Sequence, residues 1–313
     1  MASSSQSSPD ICAALHPHPL SSVAFVDTHV HHHAVAEKFC VEVQDLRARF
    51  PLNFDKCVNV LCDVADIENE VLFQTLVDID WMTLSLGVHP QQAKDYTDEL
   101  EAKIEMTMSH PKVVAWGEIG LDYYYDNSPS AQLFDRVRKR RDIQGIVFAK
   151  QIRAAVRCNK PIVVHTREAE DDTWDLMKEH IPENWFIHVH CFTSSPELAE
   201  KLVAHFPNLY IGITGVVTYK SAENTQKVAR DLPLERILLE TDSPYMVPAQ
   251  VNARKRSAEE RVKICHSGYI PYVAEKVAKL RGIELDEVLK VCTANARRIY
   301  GLAILDAEAP QTT

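Results

Sequence analysis

The 313-residue chain contains no apolar run near the about 20 residues that a membrane-spanning helix needs. A membrane is therefore not among its expected partners. Basic charge is not in excess either: 34 Lys and Arg stand against 44 Asp and Glu, a net −10. Proteins that grip nucleic acid over a broad face are usually basic, so any hold on DNA or RNA is expected to rest on bound cations and a local patch. Its eight cysteines form no Cys-x-x-Cys pair. Cys57, Cys62, Cys158, Cys191 and Cys292 lie within or beside apolar runs, which reads as reduced thiols in a cytoplasmic or nuclear protein, not as a disulfide set. The first 22 residues, MASSSQSSPDICAALHPHPLSS, hold no Lys or Arg, so they lack the charged start of a secretory signal and the arginines of a mitochondrial presequence. Segment 1–22, with His16 and His18 set between prolines, reads as disordered, and 304–313 reads as a tail. A monomer is expected.

Glycine is scarce, at nine residues, and no Gly-rich phosphate turn follows the first apolar run, where DTHVHHH stands instead. That counts against a doubly wound open sheet. Hydrophobic residues, at 46%, are ample for a core. They gather into eight short runs rich in β-branched residues: Val23–Val30, Phe54–Leu61, Met82–Val88, Val113–Leu121, Pro161–His165, Trp185–Phe192, Leu209–Thr214 and Arg236–Thr241. Continuous apolar runs of this length suit strands buried on both faces, as in a parallel sheet. Helical spacing predicts helices over Ile67–Val77, Gln144–Cys158, Pro196–Phe206 (opened by a Ser195 cap) and Thr225–Asp231, with Ile270–Leu280 and Leu285–Tyr300 closing the chain. The alternation is that of a single-domain (β/α)8 TIM-type barrel over 23–303 with extra C-terminal helices. One stretch interrupts it. Phe134–Asp142, FDRVRKRRD, places five basic residues before the fifth helix, either as a solvated helix extension or as a phosphate-binding patch on the mouth side.

Polar residues recur where the apolar runs end. The first run carries His29 and His31, the third reaches His89, and the fourth holds Glu118; the fifth ends in His165, the sixth holds His188 and His190, and the eighth runs into Glu240 and Asp242. The C-terminal ends of barrel strands converge on one mouth, so these side chains are expected to meet. His29 and His31 are two apart on a strand and leave the same face, as do His188 and His190, and Glu240 and Asp242. The member of each later pair nearer the strand end, His190 or Asp242, is the better ligand, which puts His188 and Glu240 one layer deeper. Imidazole and carboxylate without thiolate suit Zn²⁺, Mn²⁺ or Mg²⁺. Six ligands (His29, His31, Glu118, His165, His190 and Asp242) suffice for two divalent ions if one carboxylate bridges them, an arrangement made for phosphodiester hydrolysis.

The stretches VDTHVHHH, LGVHPQQA, AWGEIGLDYYYDNSP, KPIVVHTREAEDD, HCFTSSPELA, GITGVVTYKSA, ILLETDSPYMVP and TANARRIYGL, in this order from about Phe25 to Leu302, resemble the TatD family of metal-dependent deoxyribonucleases, within the amidohydrolase-like barrels. The resemblance implies that His29, His31 and Asp242 hold a first metal, His165 and His190 a second, and that Glu118 bridges. It further implies that Asp242 accepts the proton of the attacking water, that His89 and Arg167 contact phosphate, and that the substrate is DNA, single-stranded or trimmed from 3′ ends. His266, in CHSGYIP, is read as a substrate contact or as a packing and capping residue. An amidohydrolase acting on a small substrate is the alternative enzyme. Urease-like and dihydroorotase-like relatives bridge their metals with a carbamylated lysine near the fourth strand, where this chain has Glu118 and no lysine in the run. A catalytically silent barrel that binds a protein partner is the alternative outside enzymes.

Overall fold

The structure is a computed structural model and describes residues 20–124, 131–253, 255 and 257–302, the side chains of 131–137 excepted. The segment up to residue 19 and the tail 304–313, both named above, lie outside the described residues, as does Cys12.

Eight strands form one sheet in chain order, each parallel to the next: β1 (Phe25–Val30), β2 (Phe54–Leu61), β3 (Met82–Leu86), β4 (Val113–Asp122), β5 (Ile162–Arg167), β6 (Ile187–Val189), β7 (Leu209–Ile213) and β8 (Ile237–Leu239). The helices are α1 (His32–Phe39), α2 (Val64–Glu68), α3 (Glu70–Val77), α4 (Asp98–Thr107), α5 (Ala131–Arg157), α6 (Glu170–His180), α7 (Pro196–His205), α8 (Glu223–Asp231), α9 (Ala249–Asn252), α10 (Ile270–Arg281) and α11 (Leu285–Tyr300). This is the expected (β/α)8 barrel with extra C-terminal helices. The expected run Ile67–Val77 is broken at Asn69, whose side chain accepts from the Leu72 amide at 3.0 Å and so caps α3. Ser195 caps α7 as its sequence suggests, accepting from the Leu198 amide at 3.3 Å. The basic stretch before the fifth expected helix is helical itself. With no proline from Ala131 to Arg157 and many long straight side chains, α5 simply runs back through it for 27 residues.

Parallel strands need both faces covered. Outside, β-strand side chains such as Cys57, Ile162 and Ile187 pack against the helices in one continuous core. Inside, Val26, Val58, Ala115, Val163, Tyr210 and Leu238 form a separate cluster with Ala296, Ile299, Tyr300 and Leu302. The end of α11 therefore plugs one end of the barrel, and burying a side chain the size of Ile299 there contributes about 1.5–3 kcal/mol. The other end, where the strands terminate, stays open.

The barrel closes between β8 and β1 by irregular contacts. The Asp242 amide donates to the His29 carbonyl at 2.9 Å and the His31 amide to the Ser243 carbonyl at 2.9 Å. Below them the buried Asp27 carboxyl accepts from the Thr241 amide (2.9 Å), the Thr241 hydroxyl (2.6 Å) and the Ser267 hydroxyl (2.8 Å). The seam of the barrel thus fixes the backbone on which three of the six expected ligands stand.

Candidate metal centre

All six expected ligands meet at the open end. Glu118, buried on β4, lies at their middle and divides its two oxygens between two groups. Oε2 is 3.3 Å from His29 Nε2, while Oε1 is 2.8 Å from His190 Nε2 and 2.6 Å from His165 Nδ1. Asp242 Oδ1 lies 3.6 Å from His31 Nε2 and 3.9 Å from His29 Nε2. Four groups of donors come close enough together to share an ion: His29, His190 and Asp242; His29, His31 and Glu118; Glu118, His165 and His190; and His89, Asp122 and His165.

The chemistry of this donor set fits divalent cations. The His29 ring is fully buried and stacks on His190 at 4.0 Å between centroids, and neither of its nitrogens has a hydrogen-bond partner. Buried polar groups are normally satisfied, so an imidazole left with two bare nitrogens among carboxylates calls for a cation. Electrostatics agree. Burial drives His29 down to about 3, so it is neutral and has a lone pair to give. Burial alone would raise Glu118, but the charge of His190 and its contacts with the His165 and His190 rings reverse this and hold it well below the usual carboxylate range. Asp242 is likewise held down against burial by His31, His29 and His190. Burial also opposes a proton on His165, yet contacts with Asp122 and Glu118 outweigh it and raise it to about 9.

Local backbone serves this convergence. Gly120 packs so closely on β5 that a Cβ would collide with the His165 carbonyl, so no other residue lets β4 bring Glu118 beside His165. Asp242 and Cys191, at φ 50° and 43°, leave the extended conformation just where β8 and β6 present their ligands.

His188 and Glu240 lie one layer deeper, as expected. His188 Nε2 is 2.9 Å from Glu240 Oε2, its Nδ1 is 2.6 Å from the Tyr300 hydroxyl, and Glu240 accepts from the Cys191 amide. A cavity of about 840 Å³ opens above the ligands. His89 and Arg167 line it, with His89 Nε2 3.5 Å from Glu118 Oε1. His266 is not brought to the mouth. It is 2% exposed, stacks on Phe50 and Tyr269 at 5.6 and 4.2 Å, and caps the Gly268 amide at 3.1 Å, which is the packing and capping role. Sequence reasoning missed Asp122, whose Oδ2 is 3.6 Å from His165 Nε2. Its signal was the two-residue period: Glu118, Gly120 and Asp122 share one face of β4. Tyr245, 60% exposed on the cavity wall beside Asp242, was missed too.

Residues 26–301 match a family model described as TatD related DNase. A human protein named 3′-5′ RNA nuclease TATDN2 is 33% identical over 294 residues, covering 92% of this chain; the chain spans only 36% of that relative's length. A protein of Erwinia tasmaniensis named 3′-5′ ssDNA/RNA exonuclease TatD is 30% identical, covering 72% of this chain and 80% of its own. Among solved structures, a TatD homologue from Escherichia coli K12 superposes with a TM-score of 0.68 at 23% identity, covering 90% of this chain and all of its own; this likeness speaks for the fold alone.

Proposed function

Because the chain belongs to the TatD-related DNase family of metal-dependent hydrolases, we propose that it cleaves phosphodiester bonds of single-stranded nucleic acid from 3′ ends, with two divalent cations (Zn²⁺, Mn²⁺ or Mg²⁺) at the mouth of the barrel. His29, His31 and Asp242 would hold one, His165 and His190 the other, and Glu118 would bridge. The observation that carries this reading is the Glu118 carboxylate, one oxygen turned to His29 and the other to His165 and His190. When bound, such ions neutralise the phosphate oxygens and acidify the attacking water.

The chain's own residues supply the rest. Asp242, ionised and 8% exposed, is the proton acceptor for the water, while its contact with His31 keeps the carboxylate oriented. Arg167, on the cavity wall with its guanidinium 3.6 Å from the Tyr124 ring centre, places positive charge where a phosphate enters. His89, driven by burial to about 4, is neutral and offers a donor or acceptor instead of charge. Asp122 faces the outer nitrogen of His165 and orients the ring from behind.

DNA and RNA differ at the sugar, not at the phosphodiester that this centre addresses, and the relatives' names include both. Incubating the metal-loaded protein with end-labelled DNA and RNA strands tests the reading. Stepwise release of nucleotides from the 3′ end is expected, and none with His165→Ala. No release by the native chain with any of the three metals rejects it. The amidohydrolase alternative loses support because no lysine lines the cavity among the described residues. Seven described cysteines, all unpaired, support a reducing cytoplasmic or nuclear compartment. Among the described residues, exposed large hydrophobics fall singly on separate elements, which supports a monomer.

A further inference from the structure

The N-terminal part of α5 is unlike the rest of that helix. Gln151 grips the end of β3, accepting from the Val88 amide at 2.8 Å and donating to its carbonyl at 2.9 Å. Two turns earlier, Gln144 makes the same double contact with Asp122, the last residue of β4, at 2.9 and 3.1 Å. Gln144 therefore marks the height of the rim. A helix that follows a barrel strand runs back along it, so its N-terminus lies on the mouth side. The 13 residues from Ala131 to Ile143 reach about 20 Å past the rim at 1.5 Å per residue.

The charges divide at the same height. Below it, two of the three α5 cations pair with α4 carboxylates, Lys150 with Asp98 at 2.7 Å and Arg157 with Glu101 at 2.7 Å, while Arg153 is exposed. Above it stand Arg138, Lys139, Arg140 and Arg141 in succession, the first three exposed. Consecutive residues on a helix step round it by about 100°, so four of them ring the helix with positive charge and do not form a packing face. The patch is continuous with the cavity. Arg141 lies over the Tyr123 ring at 4.2 Å, the Tyr123 hydroxyl donates to Asp172 at 2.7 Å, and the next residue, Tyr124, carries Arg167 of the cavity wall. The facing wall carries Glu37, Asp63 and Asp66. A polyanion seated at the metal centre is repelled on that side and drawn along α5.

We propose that Arg138–Arg141 form a track for the phosphates of a single nucleic-acid strand, several nucleotides away from the bond being cut. The track rests on the nuclease reading and adds a substrate-length requirement to it. It also accounts for how a chain of net charge −10 holds a polyanion.

The test compares a thymidine dinucleotide with an oligothymidylate of about twenty residues, for the native protein and for Arg138→Gln/Lys139→Gln/Arg140→Gln, with helicity checked by circular dichroism. The native protein is expected to show a KM about tenfold lower for the long strand at low salt. In the variant that advantage disappears, while dinucleotide turnover stays within about twofold. The slope of log KM against log salt for the long strand falls by about 2, as loss of three phosphate contacts at about 0.7 each requires. Equal KM values for both lengths in the native protein overturn the track, as does an unchanged slope in the variant or an equal loss on both substrates. Should the triple variant lose helicity, Arg138→Gln alone must lower the slope by about 0.7, and an unchanged slope overturns the track. If the native protein cleaves neither substrate, it is the nuclease reading that fails.

Discussion

Two layers of the barrel mouth use the same residue types to opposite ends. In the upper layer Glu118 and Asp242 are held ionised among imidazoles, and His29 lacks a hydrogen-bond partner on either nitrogen. Two residues back along the strands, Asp27 and Glu240 are pushed up by burial to about 7 and about 8, and neutral side chains answer them: Thr241 and Ser267 for Asp27, His188 for Glu240. The difference lies in the partners, since all these groups are buried. A buried carboxylate among several imidazoles, His165 and His190 raised enough to carry charge, keeps its own charge and can bind a cation, whereas one closed in by hydroxyls, amides or a single neutral imidazole keeps its proton and serves as structure.

The comparison breaks most visibly if the upper layer proves dispensable. Glu118→Gln keeps the shape but removes the charge between the two imidazole groups. A fall in kcat of about 10³-fold or more is expected, together with loss of bound metal by elemental analysis; activity within about tenfold of native would end the two-ion reading. Next in size is the effect of metal on stability. At a hundredfold excess over its Kd, a cation that binds only the folded state stabilises by about 2.7 kcal/mol, or roughly 4–5 °C in Tm for a domain of this size. Native protein and Glu240→Gln should show that rise in a thermal scan with Mn²⁺, and His29→Ala should lose most of it. A rise of equal size in His29→Ala would mean that the ion sits elsewhere.

Much of this was legible beforehand because continuous β-branched runs have few other uses. β2 spans the same residues that the sequence suggests, and the eightfold order could be read without any contact information. Legibility stops where tertiary contact decides. The expected runs Trp185–Phe192 and Arg236–Thr241 extend beyond the three paired residues of β6 and β8, since the chain turns out of the ladder through Cys191 and Asp242. His266 is polar and follows the strand-8 motif, so the sequence leaves it open between a mouth residue and a packing or capping one; the aromatic rings of Phe50 and Tyr269, the first far away in the chain, decide for packing. The helix α1 was missed because HHAVAEKF looks like an extension of the histidine-rich motif.

The lower layer makes a smaller claim, tested by steric fit. A Cβ on Gly212 would lie 2.5 Å from both Glu240 Oε1 and His188 Nε2. Gly212→Ala therefore overpacks the structural pair and is expected to cost about 1–3 kcal/mol in a denaturant titration, with kcat reduced less than about tenfold. A collapse of activity at native stability would move the His188–Glu240 pair from scaffold into the chemistry.

The finest distinction between the layers is in protons, measured in the chelated protein so that no cation intervenes. Glu240, about 8 folded against 4.5 ordinarily, keeps its proton in the native state while the unfolded chain has lost it. The native state then binds the more protons, so stability falls as pH rises, by at most about 1.4 kcal/mol per pH unit for this one group. Its contribution is fully present below 4.5 and gone above about 8. Asp27, about 7 against 3.8, acts in the same direction at the lower part of that window, and Glu118 and Asp242 act oppositely in more acid solution. Glu240→Gln removes one proton from the balance and leaves the others. The difference in unfolding free energy between native protein and variant should thus drift in the variant's favour from pH 5 to pH 8, with at most one proton of slope. A flat difference would show that Glu240 is ionised at neutral pH, and the two layers would then be electrostatically alike.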